Sequence, residues 1–555
     1  MRYRRSLLAL ASSLAIGAFL LHCVGDAPVV QQGADSGVDG NVNPDGNVNP
    51  DGNVNPDGAP LEAGPPAPDG SLAWVQHFNS NVEFEQVAIR ESPTLSFVVA
   101  GGYRNSASGN DAVTNVGSYV LPKGGNTVSP VIAALDPLGN PIWVNVPATT
   151  SSGVGNGGDV NLSSIATDAA GDIYIAGSTS RGSITLNQVR NGSLAFVTKL
   201  KSDGKTFLWD HVFTGTGSMG APKLSVVGTQ IAVAAAFSQN ITYDPAKIMT
   251  SVGSNDIAVL SLNAGDGTTR WATSFGGTGF DGPNDVAIDA AGDAFVVGSG
   301  IGSISGTGAG FPLACKGTDY NGIFAKFAFA DGKGLYTMAW GDPASSGQTN
   351  ALGIDVRAGK VVVSGQFGGG VDFGKGVLGA TGQVDGFVVE FDDATKATAF
   401  AATMGGSQYE GLQSVAFDAW GQVLAAGQYG SPDAKIGSTA LKPTSFRTSG
   451  FVVAKWDVNG GLVWAKSVVP TTANGGIPYP VQDAGAAYLS IWATYARVTK
   501  GGVVVTSGGM SGGSNFGDGI YRPRLSGMGA EYFQICNPTC PTVFSPDSLV
   551  GAWNP

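Results

Sequence analysis

The chain repeats itself about every 65 residues, and few folds satisfy that constraint. The segments Trp74-Val-Gln-His-Phe78, Trp143-Val-Asn-Val-Pro147, Trp209-Asp-His-Val-Phe213, Trp271-Ala-Thr-Ser-Phe275, Tyr336-Thr-Met-Ala-Trp340, Phe400-Ala-Ala-Thr-Met404 and Trp464-Ala-Lys-Ser-Val468 align. Their first residues stand 69, 66, 62, 65, 64 and 64 positions apart. So regular a period implies copies of one supersecondary unit stacked side by side. Residues i and i+4 of a strand share a face, so Trp209/Phe213, Trp271/Phe275 and Tyr336/Trp340 are expected to fill one inter-sheet layer, as are Trp74/Phe78.

Each unit also holds an almost wholly apolar middle strand: Phe97-Val-Val-Ala100, Ile173-Tyr-Ile-Ala176, Ile231-Ala-Val-Ala234, Phe295-Val-Val297, Val361-Val-Val363, Val423-Leu-Ala-Ala426 and Val503-Val-Val505. Apolar residues on both faces predict burial on both faces, between neighbouring sheets. A third strand follows, as in Phe196-Val-Thr-Lys-Leu200 and Phe387-Val-Val-Glu-Phe391, and the last one is expected at 530–535. Tight turns such as Asp168-Ala-Ala-Gly-Asp172, Asp289-Ala-Ala-Gly-Asp293 and Asp136-Pro-Leu-Gly-Asn140 join the strands. The 85 glycines and the low charged fraction of 13% suit a turn-rich, helix-poor chain.

Four antiparallel strands per unit make a propeller blade. The fold expected is all-β: a seven-bladed β-propeller over 71–536, followed by a tail at 537–555. Trp74 precedes every middle strand and nothing like it follows the last third strand. Residues 71–79 are therefore expected to supply the outer strand of the seventh blade and close the ring.

Asp285-Val-Ala-Ile-Asp-Ala-Ala-Gly-Asp-Ala-Phe-Val-Val-Gly-Ser-Gly300 and Asp168-Ala-Ala-Gly-Asp-Ile-Tyr-Ile-Ala-Gly-Ser-Thr-Ser180 resemble the bacterial SBBP propeller repeat. The match is specific in units two, four and six and degraded elsewhere. The resemblance implies a seven-bladed propeller in a secreted or surface protein and fixes no activity. Asp266-Gly-Thr-Thr-Arg-Trp271 resembles the tryptophan-docking repeat of quinoprotein-like propellers, in that one unit.

The N-terminus reads as an address. Arg2, Arg4 and Arg5 precede an uncharged, mostly apolar stretch from Ser6 to Leu21, too short for a spanning helix and flanked like a secretory signal. Leu20-Leu21-His22-Cys23 resembles a bacterial lipobox, which implies a signal peptide at 1–22 and acylation of Cys23. His22 departs from the small residue usual before that cysteine. Several acyl chains would anchor the protein to a membrane. Val24 is not the aspartate of inner-membrane retention, so the outer membrane is expected, with the protein surface-exposed or facing the periplasm.

Residues 23–70 read as a disordered tether, with Asn-Val-Asn-Pro-Asp-Gly three times over from Asn41 to Gly58. They hold eight acidic residues and no basic one. Asn41, Asn43 and Asp45 imitate the opening of a calcium loop, but Gly52 stands where a bidentate glutamate is needed.

Net charge is −12 and falls to −15 once the three leader arginines are removed, which excludes nucleic acid as a partner. Three histidines and four cysteines leave little for metal or histidine chemistry, and neither a cofactor nor a metal is expected. No G-x-S-x-G, H-E-x-x-H or phosphate-binding loop is present. His211, between Trp209 and Phe213, is expected to be a packed core residue. Cys536 and Cys540 are expected to form a local disulfide in an oxidising compartment, and Cys315 has no evident partner.

Antiparallel order puts first-to-second and third-to-fourth turns on one face of the disc. The longer connections emerge on the other, where function usually resides. Their aromatic residues Tyr103, Phe280, Phe367, Tyr409 and Tyr429 are candidate contacts for a protein or carbohydrate. The expectation is a monomeric, membrane-anchored envelope protein that binds such a partner or serves as a non-catalytic scaffold. The alternatives are a polysaccharide lyase or hydrolase built on a propeller, and a subunit of an outer-membrane assembly complex.

Overall fold

The computed structural model describes residues 19–20, 72–78, 82–90, 95–103, 115–122, 129–150, 160–179, 183–185, 189–191, 195–245, 247–344, 347–444, 448–471, 489–498, 504–511, 513–515, 520–521 and 547–553. Six four-stranded antiparallel sheets follow one another along the chain at 82–145, 160–215, 223–275, 282–340, 349–405 and 410–468. These are blades 1 to 6 of a β-propeller. Within each, strand order in space equals strand order in sequence, so the first strand lies innermost and the fourth outermost.

The inner strands run in sequence around the ring. Val82–Arg90 lies against Val160–Thr167, which lies against Lys223–Val227, and so on to Glu410–Phe417. Four further strands form the ladder Leu489–Val498, Val504–Ser511, Asp547–Trp553, Leu72–Phe78. Leu489–Val498 lies between Glu410–Phe417 and Val82–Arg90. Asp547–Trp553, expected in a tail, thus occupies the position expected of 530–535, a segment outside the described residues. Physically, a short strand ahead of the chain end and a tail were not distinguishable by apolar pattern alone.

The middle strands are buried along their length: Phe97 to Ala100, Ile173 to Ala176, Ile231 to Ala234 and Val361 to Val363 are at most 2% exposed. Each contributes alternate residues to the clusters on its two sides. Ala232 and Ala234 face the blade 3–4 layer, whereas Ile231, Val233 and Ala235 face the blade 2–3 layer. The small side chains admit a close approach of sheets at the narrow inner radius.

The six anchors from Trp143 to Trp464 lie on fourth strands. Each sits beside a register shift between third and fourth strands, for example Lys199/Leu200 opposite Trp209 and Ser261/Leu262 opposite Trp271. A bulge there twists the outer strand and tips the ring toward the next blade. The rings land on a turn between third and fourth strands: Trp209 Nε1 donates to Ala264 O at 3.2 Å, and Trp271 Nε1 to Phe329 O at 2.8 Å. Gly267 and Gly332, at φ of +71° and +70°, lie beneath the two indoles, and a Cβ on either would fall 2.5 or 2.4 Å from a ring carbon. In blade 5 the same turn position is Lys396, at φ 65°, whose Nζ covers the Tyr336 ring at 3.8 Å.

Candidate functional site

The two ends of the blades differ in kind. First-to-second and third-to-fourth connections of blades 1 to 6 span two to six residues, whereas second-to-third connections span 15 to 25. The long loops carry ribbons of their own, such as Asn240–Asp244 with Lys247–Thr250 and Gly370–Asp372 with Val377–Gly379. The Asn240–Asp244 ribbon also pairs with the fourth strand of blade 2, Thr214 opposite Thr242, so it extends the preceding blade's sheet and gives that face a defined relief.

The five candidate aromatics divide into two groups. Tyr103, Phe367 and Tyr429 end their second strands and are 0–2% exposed. Tyr103 donates to Pro122 O and Tyr429 to Lys442 O, each tying down its own loop, and Phe367 packs edge-on against Phe373 and Phe387. These three are corrected from partner contacts to loop anchors. At the root of a long loop a ring fills the space between the two strands it joins, and solvent never reaches it. Phe280 and Tyr409 are 40% and 41% exposed. They occupy equivalent positions just ahead of the first strands of blades 4 and 6, Phe280 two residues before Gly282 and Tyr409 one before Glu410, and make equivalent parallel bridges to Asn255 and Val384.

Behind each exposed ring lies a buried pair of acids that sequence reasoning missed. Asp281 and Glu410 directly follow Phe280 and Tyr409, and each is 0% exposed. Asp281 Oδ2 accepts from Gly277 N at 2.6 Å and Oδ1 from Ile301 N at 3.2 Å. Glu410 Oε1 accepts from Ser431 N at 3.1 Å. The acid therefore joins the loop entering its blade to the long loop inside it. Its partners, Asp256 and Asp385, begin the third strands of blades 3 and 5 and are 1% and 2% exposed. Asp256 Oδ2 accepts from Val252 N at 2.8 Å, and Asp385 Oδ2 from Thr381 N at 3.0 Å.

Gly276-Gly277 and Gly405-Gly406 let the backbone pass over these carboxylates. A Cβ on Gly276 would lie 2.4 Å from Asp256 Oδ1, and one on Gly405 would lie 2.6 Å from Asp385 Oδ2. Burial pushes the Glu410 carboxyl up to about 7, and the neighbouring charge of Asp385 adds to the effect. Burial also raises Asp281, again with a contribution from its acidic neighbour Asp256. The signal available in sequence was the recurrence of Gly-Gly followed by aromatic-acid-Gly in Gly276 to Gly282 and Gly405 to Gly411.

On the opposite face the turn carboxylates are spent internally. Asp168 accepts from Ala170 N and Asp172 N, and Lys199 Nζ lies 3.2 Å from Asp168 and 3.0 Å from Asp172. His211 packs edge-to-face on Phe213, and its Nδ1 lies 3.1 Å from Gly267 O. Cys315 is a partly exposed free thiol that burial pushes up to about 12, so it carries no thiolate at neutral pH. Cys23, Cys536 and Cys540 lie outside the described residues. Among the described residues no group of three or more His, Cys, Asp or Glu side chains is gathered to hold a metal, and no helix is long and apolar enough to cross a membrane.

Strand order thus defines a β-propeller of four-stranded antiparallel blades with one elaborated face. No family model matches the chain, and no curated protein matches it. Among solved structures it is similar to the Dos1 propeller, with 9% identity, a TM-score of 0.38, and 88% of this chain and 95% of that one covered. It is similar to the quinohemoprotein alcohol dehydrogenase of Comamonas testosteroni at 10% identity and a TM-score of 0.35, covering 87% and 76%. The α-L-arabinanase of Penicillium chrysogenum matches at 11% identity and a TM-score of 0.31, covering 73% and 98%.

Proposed function

We propose that this chain is a lipid-anchored outer-membrane protein whose acidic tether presents a seven-bladed propeller of the SBBP type, and that the long-loop face binds a protein or glycan partner. The observation that carries the binding role is the matched placement of Phe280 and Tyr409, large rings held in solvent at equivalent points of one face. Rings pinned by a rigid backbone bury much area at little entropic cost when a partner covers them. The catalytic alternative draws no support from the acids behind them. Carboxyls at most 2% exposed have no route to the linkage of a polymer.

Two irregularities support the seventh blade. Leu72–Phe78 has a register shift between Leu72 and Trp74, two residues before and at its anchor, as the outer strands of blades 1 to 6 do. Leu489–Val498 has one between Ala493 and Tyr495, matching Leu162/Ser164 and Leu412/Ser414 in other inner strands.

Crosslinking and pull-down from native envelopes, with a glycan array alongside, tests the binding role. Capture of a partner by the native protein and its loss in the Phe280→Ala, Tyr409→Ala double variant is expected. Equal capture by both would discard this face. Palmitate labelling should disappear in Cys23→Ala, and retained label would eliminate the anchor.

A further inference from the structure

Several buried charges elsewhere in this propeller are matched by opposite charge. Lys199, Lys326 and Lys455 each meet aspartates, and buried Glu390 meets Lys360 at 2.9 Å. Asp256 and Asp281, and likewise Asp385 and Glu410, are pairs of like charge. No Lys, Arg or His among the described residues forms an ion pair with any of the four.

Isolated buried carboxylates are costly, and two side by side are costlier. Backbone N–H groups satisfy one side of each pair, joined in the second by the Thr381 hydroxyl, which donates to Asp385 Oδ2 at 3.0 Å. On the other side, Asp256 Oδ1 and Glu410 Oε2 are sealed from solvent and have no hydrogen-bond partner. In each pair an orphan oxygen belongs to an acid whose neighbour is a second acid. The arrangement occurs twice, at the blade 3–4 and blade 5–6 junctions.

We propose that each carboxylate pair, Asp256 with Asp281 and Asp385 with Glu410, is a binding site for a divalent cation of the calcium class. A hard cation takes oxygen donors, two carboxylates supply the charge, and loop carbonyls, the nearby Thr381 and Ser431 hydroxyls or water complete such a shell. It would neutralise the like-charge pair and give both orphan oxygens a partner. It would also clamp the 276–281 loop to the 301–320 loop, and the 406–409 loop to the 430–444 loop, setting the pose of Phe280 and Tyr409. The proposal does not depend on partner binding, because cation uptake is read directly.

The full-length protein, stripped with chelator, is titrated with calcium chloride by calorimetry and melted with and without calcium. Calcium is expected to raise the melting temperature. Two sites are expected in the native chain beyond any weak tether background, one in Asp256→Asn, one in Glu410→Gln and none in the double variant. The isosteric amides remove charge without removing volume, so circular dichroism in chelator checks that each variant folds. Terbium luminescence sensitised through Tyr409 should report the Glu410 site and vanish in Glu410→Gln. A native chain whose melt ignores calcium, or a calcium response that survives in the double variant, would overturn the assignment. In the first case a proton shared within each pair becomes the explanation.

Discussion

Lys455 Nζ lies 3.1 Å from Asp418 Oδ2, with the two side chains 1% and 0% exposed. Asp418 Oδ1 meanwhile accepts from Trp420 N and Gln422 N, so one carboxylate shapes a first-to-second turn and holds the third strand's lysine. The same clasp joins Lys199 to Asp168 and Asp172 in blade 2, and Lys326 to Asp289 and Asp293 in blade 4. Blades 1, 3 and 5 reach into the next blade's turn. Arg90 donates to Ser202 O at 2.6 Å, Gln230 to Gly292 O at 2.8 Å and Arg357 to Ala419 O at 2.8 Å. Blades 2 and 4 also reach forward, Trp209 Nε1 to Ala264 O and Lys326 Nζ to Asp393 Oδ2 at 2.7 Å, so the short-turn face is stitched from each blade to the next.

Lys455→Met should be strongly destabilising, by about 3–5 kcal/mol, because it leaves Asp418 charged and buried alone. Lys247→Met, which breaks the exposed pair with Asp244, should leave the denaturation midpoint unchanged. Comparable shifts in urea melts of the two would contradict the burial argument.

Gly332 and Gly359 share a left-handed backbone, at φ of +70° and +76°, yet only Gly332 has an indole beneath it. Gly359→Ala should cost about 1–2 kcal/mol of backbone strain. Gly332→Ala should cost that plus about 1–3 kcal/mol for displacing Trp271, and should shift tryptophan fluorescence. Equal costs would mean that the indole contact contributes nothing.

Burial holds the His211 imidazole below its ordinary pKa of 6.5. As pH falls through 6.5, the unfolded chain takes up a proton that the folded chain refuses, so stability drops until the folded value is passed. Between pH 7.5 and 5.5 the native protein should lose more melting temperature than His211→Gln. Parallel curves would remove His211 from the account.

Deleting 71–79 takes the strand that pairs with Asp547–Trp553 and should lower the melting temperature markedly, through an exposed edge and an open ring. An unchanged melt would show that the ring does not need its N-terminal strand.

What the sequence determined by itself was everything periodic. Aromatic anchors about 65 residues apart, apolar middle strands and Asp-x-x-Gly turns specify a blade, because each is a local pattern repeated until chance is excluded. It also indicated which face bears long loops, since strand parity settles that. Tertiary structure decided what each loop residue does. Tyr103 and Tyr429 differ from Tyr409 only in standing at the end of a strand or in the loop before one, and that offset separates a buried ring from an exposed one. The acid pairs were invisible because Asp256 and Asp281 belong to neighbouring blades. Only ring packing brings their like charges together, and no local pattern records a meeting across sheets.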